Sequence, residues 1–272
     1  MTVSIPSFKA SDGANIAFET RGDGASSERV FLVHSLAMDH AYWAPVAERL
    51  VKAGAAVVAL DCRGHGASDK PIGPYAIERF ADDLRDLLDH LGWNTAVVGG
   101  SSMGGSVALA FATRHPSRVA GLALIDTTAC YGEDAPKAWA GRAKAAVDNG
   151  LASLIEFQLT RWFGEAFKAA HPEAVQACVD TFLSNDVAAY AAVCHMLGGF
   201  DLRDKIKSLT MPTRIVVGEE DYATPPAMAQ VLHASIKGST YRLLPGARHL
   251  TPLERPDEVA AEILATLHMA QG

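Results

Sequence analysis

Three residues far apart in the chain have the types that acyl-transfer chemistry needs. They are a serine in GSSMGG (100–105), an aspartate in GEEDYATPP (218–226) and a histidine in GARHLTPLERP (246–256). A serine hydroxyl is a weak nucleophile at neutral pH, and it becomes effective when a base takes its proton and an acid orients that base. Two adjacent serines compete for the role. A nucleophile on a sharp strand-to-helix turn needs very small residues two positions before it and two after. Ser102 has Gly100 and Gly104 there, whereas Ser101 has Gly99 and Met103. The spacing selects Ser102, and Gly105 lets the following helix approach the sheet.

In this arrangement the chain order is Ser, acid, His. His249 follows an apolar run through a Pro-Gly turn, whereas His233 and His268 fall in helical patterns. Asp221 is the chosen acid, with Glu219 and Glu220 read as solvated neighbours. Asp126, at the end of the run Val119–Ile125, is its rival. An acyl-transfer site also needs donors for the oxyanion, each worth roughly 3–4 kcal/mol in the transition state. The backbone N–H of Met103 supplies one. Leu36 N–H in HSLAMD (34–39) supplies the other, with Ser35 next in line. His34 precedes the nucleophile and reads as a shaper of that loop. Arg63 and His65, in DCRGHGASD (61–69), read as structural.

These residues must sit at strand ends. Short apolar runs at Val30–His34, Ala55–Leu60, Thr95–Val98, Val119–Ile125, Thr213–Val217 and Thr240–Leu244 suit strands buried on both faces. Ser11-Asp12-Gly13 marks a hairpin turn before Asn15–Thr20. Helical spacing appears at Tyr42–Val51, Ile77–Leu91, Val107–Thr113 and Pro256–His268. On Ile77–Leu91 the acidic residues and Arg85 read as a solvated face. The alternation predicts an α/β, doubly wound and mostly parallel sheet. It stops between about Thr128 and Ser208, where only helical patterns occur. That predicts a core of residues 1–127 and 209–272, with a helical cap over 128–208 covering the carboxyl ends of the strands.

With 272 residues, 49% hydrophobic, the chain can bury a full core. A net charge of −7 without a basic run argues against nucleic acid. No secretory pattern opens the sequence, and no apolar run is long enough to span a bilayer. Four scattered cysteines read as reduced thiols of a cytoplasmic protein. Ten histidines lie too far apart for a metal motif, so no metal is expected. A binding protein with an idle site is the alternative class, and a complete Ser-His-Asp set argues against it. The oligomeric state is not legible.

The motifs VFLVHS, DCRGHGASD, GSSMGG, VVGEEDYATPP and GARHLTPLERPDEV together resemble those of α/β-hydrolase-fold serine hydrolases, over nearly the whole chain. Within them the sequence looks most like 3-oxoadipate enol-lactonases, on HSLAMD, GEEDYATPP, LTRWF and FDLRDKI. That resemblance implies cofactor-free hydrolysis of a carboxylate-bearing enol-lactone in aromatic-compound catabolism. A broad carboxylesterase or a C–C bond hydrolase of ring-cleavage products is the alternative. The sequence departs at His34-Ser35-Leu36-Ala37, where those lactonases usually have Asn-Ser-Leu-Gly, and at Tyr222, where proline is commoner. A carboxylate substrate calls for cations under the cap, from among Arg142, Lys144, Arg161 and Lys168. Trp139, Trp162 and Phe163 are the candidate apolar wall and Ser35 a further substrate-binding candidate, with Arg161 and Trp162 foremost.

Overall fold

The computed structural model describes residues 5–271. Residues 1–4 of the N-terminal stretch read for a secretory pattern lie outside them. Eight strands form one sheet: β1 (Ser7–Lys9), β2 (Asn15–Arg21), β3 (Arg29–Val33), β4 (Ala56–Leu60), β5 (Ala96–Ser101), β6 (Val119–Ile125), β7 (Thr213–Gly218) and β8 (Thr240–Leu244). Their spatial order is β1-β2-β4-β3-β5-β6-β7-β8. The first two strands run antiparallel, and every later neighbour pair is parallel. Core helices are α1 (Ala44–Lys52), α2 (Ile77–His90) and α3 (Met103–Arg114). Between β6 and β7 come α4 (Ala135–Asn149), α5 (Ile155–Trp162), α6 (Glu165–Ala170), α7 (Pro172–Leu183) and α8 (Val187–Gly199). The chain returns to the sheet with α9 (Pro226–Ser235), α10 (Thr251–Glu254) and α11 (Pro256–Gln271).

The strands are apolar because helices cover both faces. All five residues of β4 are buried, as are all six of β5. Successive strand residues face opposite sides. A Cβ on Gly99 would meet Ile263 of α11, whereas one on Gly100 would meet the backbone of α3. Those two helices therefore sandwich the central strand. The parallel register aligns Val33 with Gly100, Gly100 with Leu124 and Ile125 with Val216. The carboxyl ends of β3, β5, β6 and β7 thus lie side by side, and the chemically interesting loops all leave from that edge.

α2 buries Ile77, Phe80, Leu84, Leu87 and Leu88, as its spacing predicts. Its polar face is not wholly solvated, however, because Asp83 is 1% exposed. Arg63 forks onto both Asp83 oxygens at 2.6 Å, and Arg79 adds a bond at 3.0 Å. The two-point charged pair offsets only part of the desolvation, and burial still raises the Asp83 pKa. The pair fixes the 61–69 loop to α2, the structural part expected of Arg63. His65 is buried beside it, its ring edge against His34.

Helices α4 and α8 pack on each other along their lengths. Cys62, Cys178 and Cys194 are buried thiols, and Cys130 is half-buried. Among the described residues no helix is long and apolar enough to cross a membrane.

Candidate active site

Ser102 stands between β5 and α3 with φ +55° and ψ −119°, a conformation that side chains rarely adopt. Close packing explains how it is held. A Cβ on Gly100 would lie 2.3 Å from Gly104 O, and one on Gly104 would lie 2.1 Å from Val33 O. The turn therefore closes directly against the end of β3 only with glycine at both flanks. Ser101 points elsewhere: its hydroxyl pairs with the buried Tyr42 hydroxyl at 2.9 Å.

His249 Nε2 lies 2.9 Å from Ser102 Oγ, and its Nδ1 lies 2.8 Å from Asp221 Oδ2. All three residues are buried. Asp221 Oδ1 accepts from the N–H groups of Ala223 and Thr224, and Oδ2 accepts from the Thr224 hydroxyl. The acid is thus fixed in one orientation by its own loop. Asp126 contacts different groups. Its carboxyl accepts from Gly218 N–H at 3.0 Å and from the Thr251 hydroxyl at 2.6 Å. Burial and the nearby Asp221 charge push its pKa well up. It ties the ends of β6 and β7 to the start of α10 and has no bond to His249.

The histidine loop is held from the other side by the helical insertion. The last carbonyls of a helix lack intrahelical partners. At the end of α5, Arg248 Nη1 donates to the carbonyls of Thr160 and Phe163. His249 N–H donates to Arg161 O at 3.3 Å and Leu250 N–H to Trp162 O at 3.0 Å. Four consecutive carbonyls are capped by three consecutive residues that include the histidine.

The loop after β3 approaches Ser102 from the opposite wall. His34 Nδ1 donates to Ser35 O at 2.7 Å, and its Nε2 accepts from Cys62 N–H at 2.9 Å, so it shapes the loop as expected. Burial lowers its pKa, which suits a neutral ring. Ala37 takes φ +60°, the left-handed region that favours glycine. Asn185 from the insertion donates to its carbonyl at 2.9 Å. Neither Leu36 N–H nor Met103 N–H donates to another protein group among the described residues, and Leu36 lines the cavity over Ser102.

That cavity, about 40 Å³, is bounded by Ser35, Leu36, Ser102, Tyr131, Trp139, Arg142, Gln158, Arg161, Trp162, Ala223 and His249. Tyr131, Trp139, Arg142, Arg161 and Ala223 also bound an outer chamber of about 510 Å³. The two spaces share those five residues and together make up the gorge over Ser102. A separate cavity of about 830 Å³ between α6, α7 and the start of α11 touches none of the three triad side chains.

Of the four cations considered, Arg142 and Arg161 line the gorge and the lysines do not. Lys144 pairs with Asp148, and Lys168 with Glu165. Arg142 bonds the Tyr190 hydroxyl at 2.6 Å and lies 5.0 Å over the Trp139 ring. Arg161 lies 4.2 Å over Phe157 and donates to Tyr222 O at 3.0 Å. Neither has a carboxylate partner among the described residues. Burial and then the Arg142 charge lower the pKa of Arg161, so two like charges share this space. Ser35, Trp139 and Trp162 are among the residues that bound the cavity over Ser102. Phe163 is not: it is fully buried and stacked on Phe167 at 4.9 Å. Sequence reasoning missed Tyr131 and Gln158. Gln158 had a signal, because it lies three and four residues before Arg161 and Trp162, on one helix face. Tyr131 had none, since it belongs to no periodic element.

A family model described as alpha/beta hydrolase fold matches residues 28–256. A protein named 3-oxoadipate enol-lactonase 2, from Acinetobacter baylyi, is 34% identical over 200 residues, 74% of each chain. The crystal structure of the enol-lactonase from Burkholderia xenovorans LB400 superposes with a TM-score of 0.92 at 31% identity, covering 97% of this chain and 100% of that one. A thermophilic esterase from Thermogutta terrifontis gives 0.91 at 31% identity, covering 99% and 100%.

Proposed function

Since the chain belongs to the α/β-hydrolase-fold family, we propose that it is a cofactor-free serine hydrolase of small carboxylate-bearing lactones or esters. The enol-lactone of 3-oxoadipate, an intermediate of aromatic-compound catabolism, is the substrate placed first. One observation carries the substrate class: two arginines without carboxylate partners face the gorge above a hydrogen-bonded Ser102–His249–Asp221 set. Half-buried guanidinium groups without a counter-charge favour a ligand that brings one.

In this reading Ser102 Oγ attacks the carbonyl carbon while His249 Nε2 takes its proton. Asp221 holds the imidazole through Nδ1 and stabilises the imidazolium. Met103 N–H and Leu36 N–H receive the oxyanion, and their lack of other acceptors supports that role. The proton passes from His249 to the leaving oxygen, the C–O bond breaks, and an acyl-enzyme remains. Water, deprotonated by His249, then releases the acid. In a lactone the leaving oxygen stays tethered, so the helical cap must keep it from closing the ring again. Arg142 and Arg161 hold the substrate carboxylate while this happens.

The test is steady-state hydrolysis of 3-oxoadipate enol-lactone beside p-nitrophenyl esters, with Ser102→Ala as the blank. The lactonase reading expects kcat/KM for the enol-lactone to exceed that for the esters by orders of magnitude. If only the esters turn over, the carboxylesterase reading replaces it, which the resemblance to the Thermogutta esterase favours.

A further inference from the structure

We propose that Tyr131 is a catalytic residue whose hydroxyl donates a hydrogen bond to the leaving oxygen as the acyl C–O bond breaks. The proposal rests on the hydrolase reading above and adds a group to it.

Tyr131 lies in the loop between β6 and α4 and bounds both the cavity over Ser102 and the outer chamber. Its ring is fixed by edge-on contacts with Trp139, centroids 5.1 Å apart, and with Phe200 at 5.8 Å. Tyr131 and Ser102 bound the same small cavity of about 40 Å³. His249 Nε2 lies against Ser102 Oγ and takes its proton, the Leu36 and Met103 N–H groups serve the oxyanion in the reading above, and Tyr131 bounds the outer chamber as well as the cavity over Ser102. When Oγ bonds the carbonyl carbon, that carbon also carries the oxyanion, the acyl chain and the leaving oxygen. The leaving oxygen must reach His249 for its proton and must have its alcohol portion in open space. A donor beside Oγ that also lines the outer chamber is placed for that oxygen.

The phenol serves as a donor only. Burial raises its pKa, which keeps it protonated through the working pH range. The proton balance is unchanged: the Ser102 proton goes to His249 and on to the leaving oxygen, while Tyr131 keeps its own. A donor at this position matters most for alcohols that leave poorly, because more negative charge collects on their oxygen as the bond breaks.

The experiment measures kcat/KM for acetate esters of p-nitrophenol, phenol, trifluoroethanol and ethanol, with wild type, Tyr131→Phe and Ser102→Ala. Tyr131→Phe keeps the ring contacts. The expected result is a small loss for p-nitrophenol that grows to about 10- to 100-fold for ethanol, the range for a hydrogen bond to a charged acceptor. The plot of log kcat/KM against leaving-group pKa then steepens in the variant. Parallel plots, or no loss with any ester, overturn the proposal, because a purely structural defect lowers all esters together. The wild type gives a second reading that needs no variant to fold. Two donors at the leaving oxygen predict a shallow plot, and a steep wild-type plot also overturns the proposal. Turnover that survives Ser102→Ala removes the hydrolase reading and this proposal with it. Ser102-dependent turnover with parallel plots removes this proposal alone.

Discussion

Replacing Gly104 by alanine adds one methyl group at the tightest point under the nucleophile. That carbon would sit 2.1 Å from Val33 O, 2.5 Å from Val33 C and 2.7 Å from His34 O. An ordinary contact is 3.4 Å or more, so about 1 Å of separation must be found. Every one of those atoms is backbone, so no side chain can swing away. Either α3 and Ser102 lift, or the end of β3 retreats with the loop that carries Leu36. Both movements separate the nucleophile from an oxyanion donor by about 1 Å. Misplacement of that size costs roughly 100-fold in rate. Overpacking a fixed site costs about 1–3 kcal/mol, a fall in Tm of roughly 2–10 °C. The comparison variant is Gly141→Ala on α4, where a Cβ meets nothing within 4 Å. There the same methyl group improves helix propensity by up to about 1 kcal/mol. The assay is kcat/KM with p-nitrophenyl acetate together with thermal unfolding of both variants. Full activity and an unchanged Tm for Gly104→Ala would refute the reasoning.

Arg142→Leu removes one of the two cations in the gorge. It should lower kcat/KM for a carboxylate-bearing ester by about 10- to 100-fold and for its uncharged analogue far less. Equal losses on both esters in parallel assays would sink the carboxylate role. His40 gives a pH signature. Its hydrogen bond to Asp61, 2.7 Å long, outweighs burial and raises its pKa above 6.5. That contribution is fully present below pH 6.5 and is lost as pH rises through the folded-state value. For Asp61, burial alone would raise the pKa, but the His40 bond and the other donors lower it below 3.8. Its contribution is present above pH 3.8 and is lost as pH falls further. Tm of the wild type should therefore sag from pH 6 to pH 8 more than that of His40→Asn. Identical pH profiles for the two proteins would count against the pairing.

Glycine spacing made Ser102 legible because the constraint is local: two flanking residues must lack a Cβ wherever the rest of the chain goes. Chain order alone could not separate Asp221 from Asp126, since each ends a strand after the serine. What separates them is Thr251 and Gly218, which occupy the Asp126 carboxyl and arrive from later in the chain. Asp83 was misread for a related reason. A helical pattern tells which residues are apolar, but not that Arg63 reaches the polar face from a loop twenty positions earlier. The strands were easy because burial on both faces leaves continuous apolar runs. The helical insertion was legible as helix and not as site. Its helices contact both the core and one another, so their pattern did not say that Arg142 faces the gorge while Lys144 faces solvent.

The capping of α5 by Arg248, His249 and Leu250 bears on how such a chain can be re-engineered. An insertion joined to its host only through two peptide connections could be exchanged for another and the catalytic core left alone. Here four carbonyls at the end of α5 hold the backbone on which the histidine is mounted. A transplanted insertion must therefore bring a helix that ends at the same place and angle. A chimaera that lacks one forfeits the support of its base before it ever meets a new substrate. Specificity and catalytic competence are inherited together in this architecture, and exchanges confined to α4, which takes no part in the clamp, are the safer place to begin.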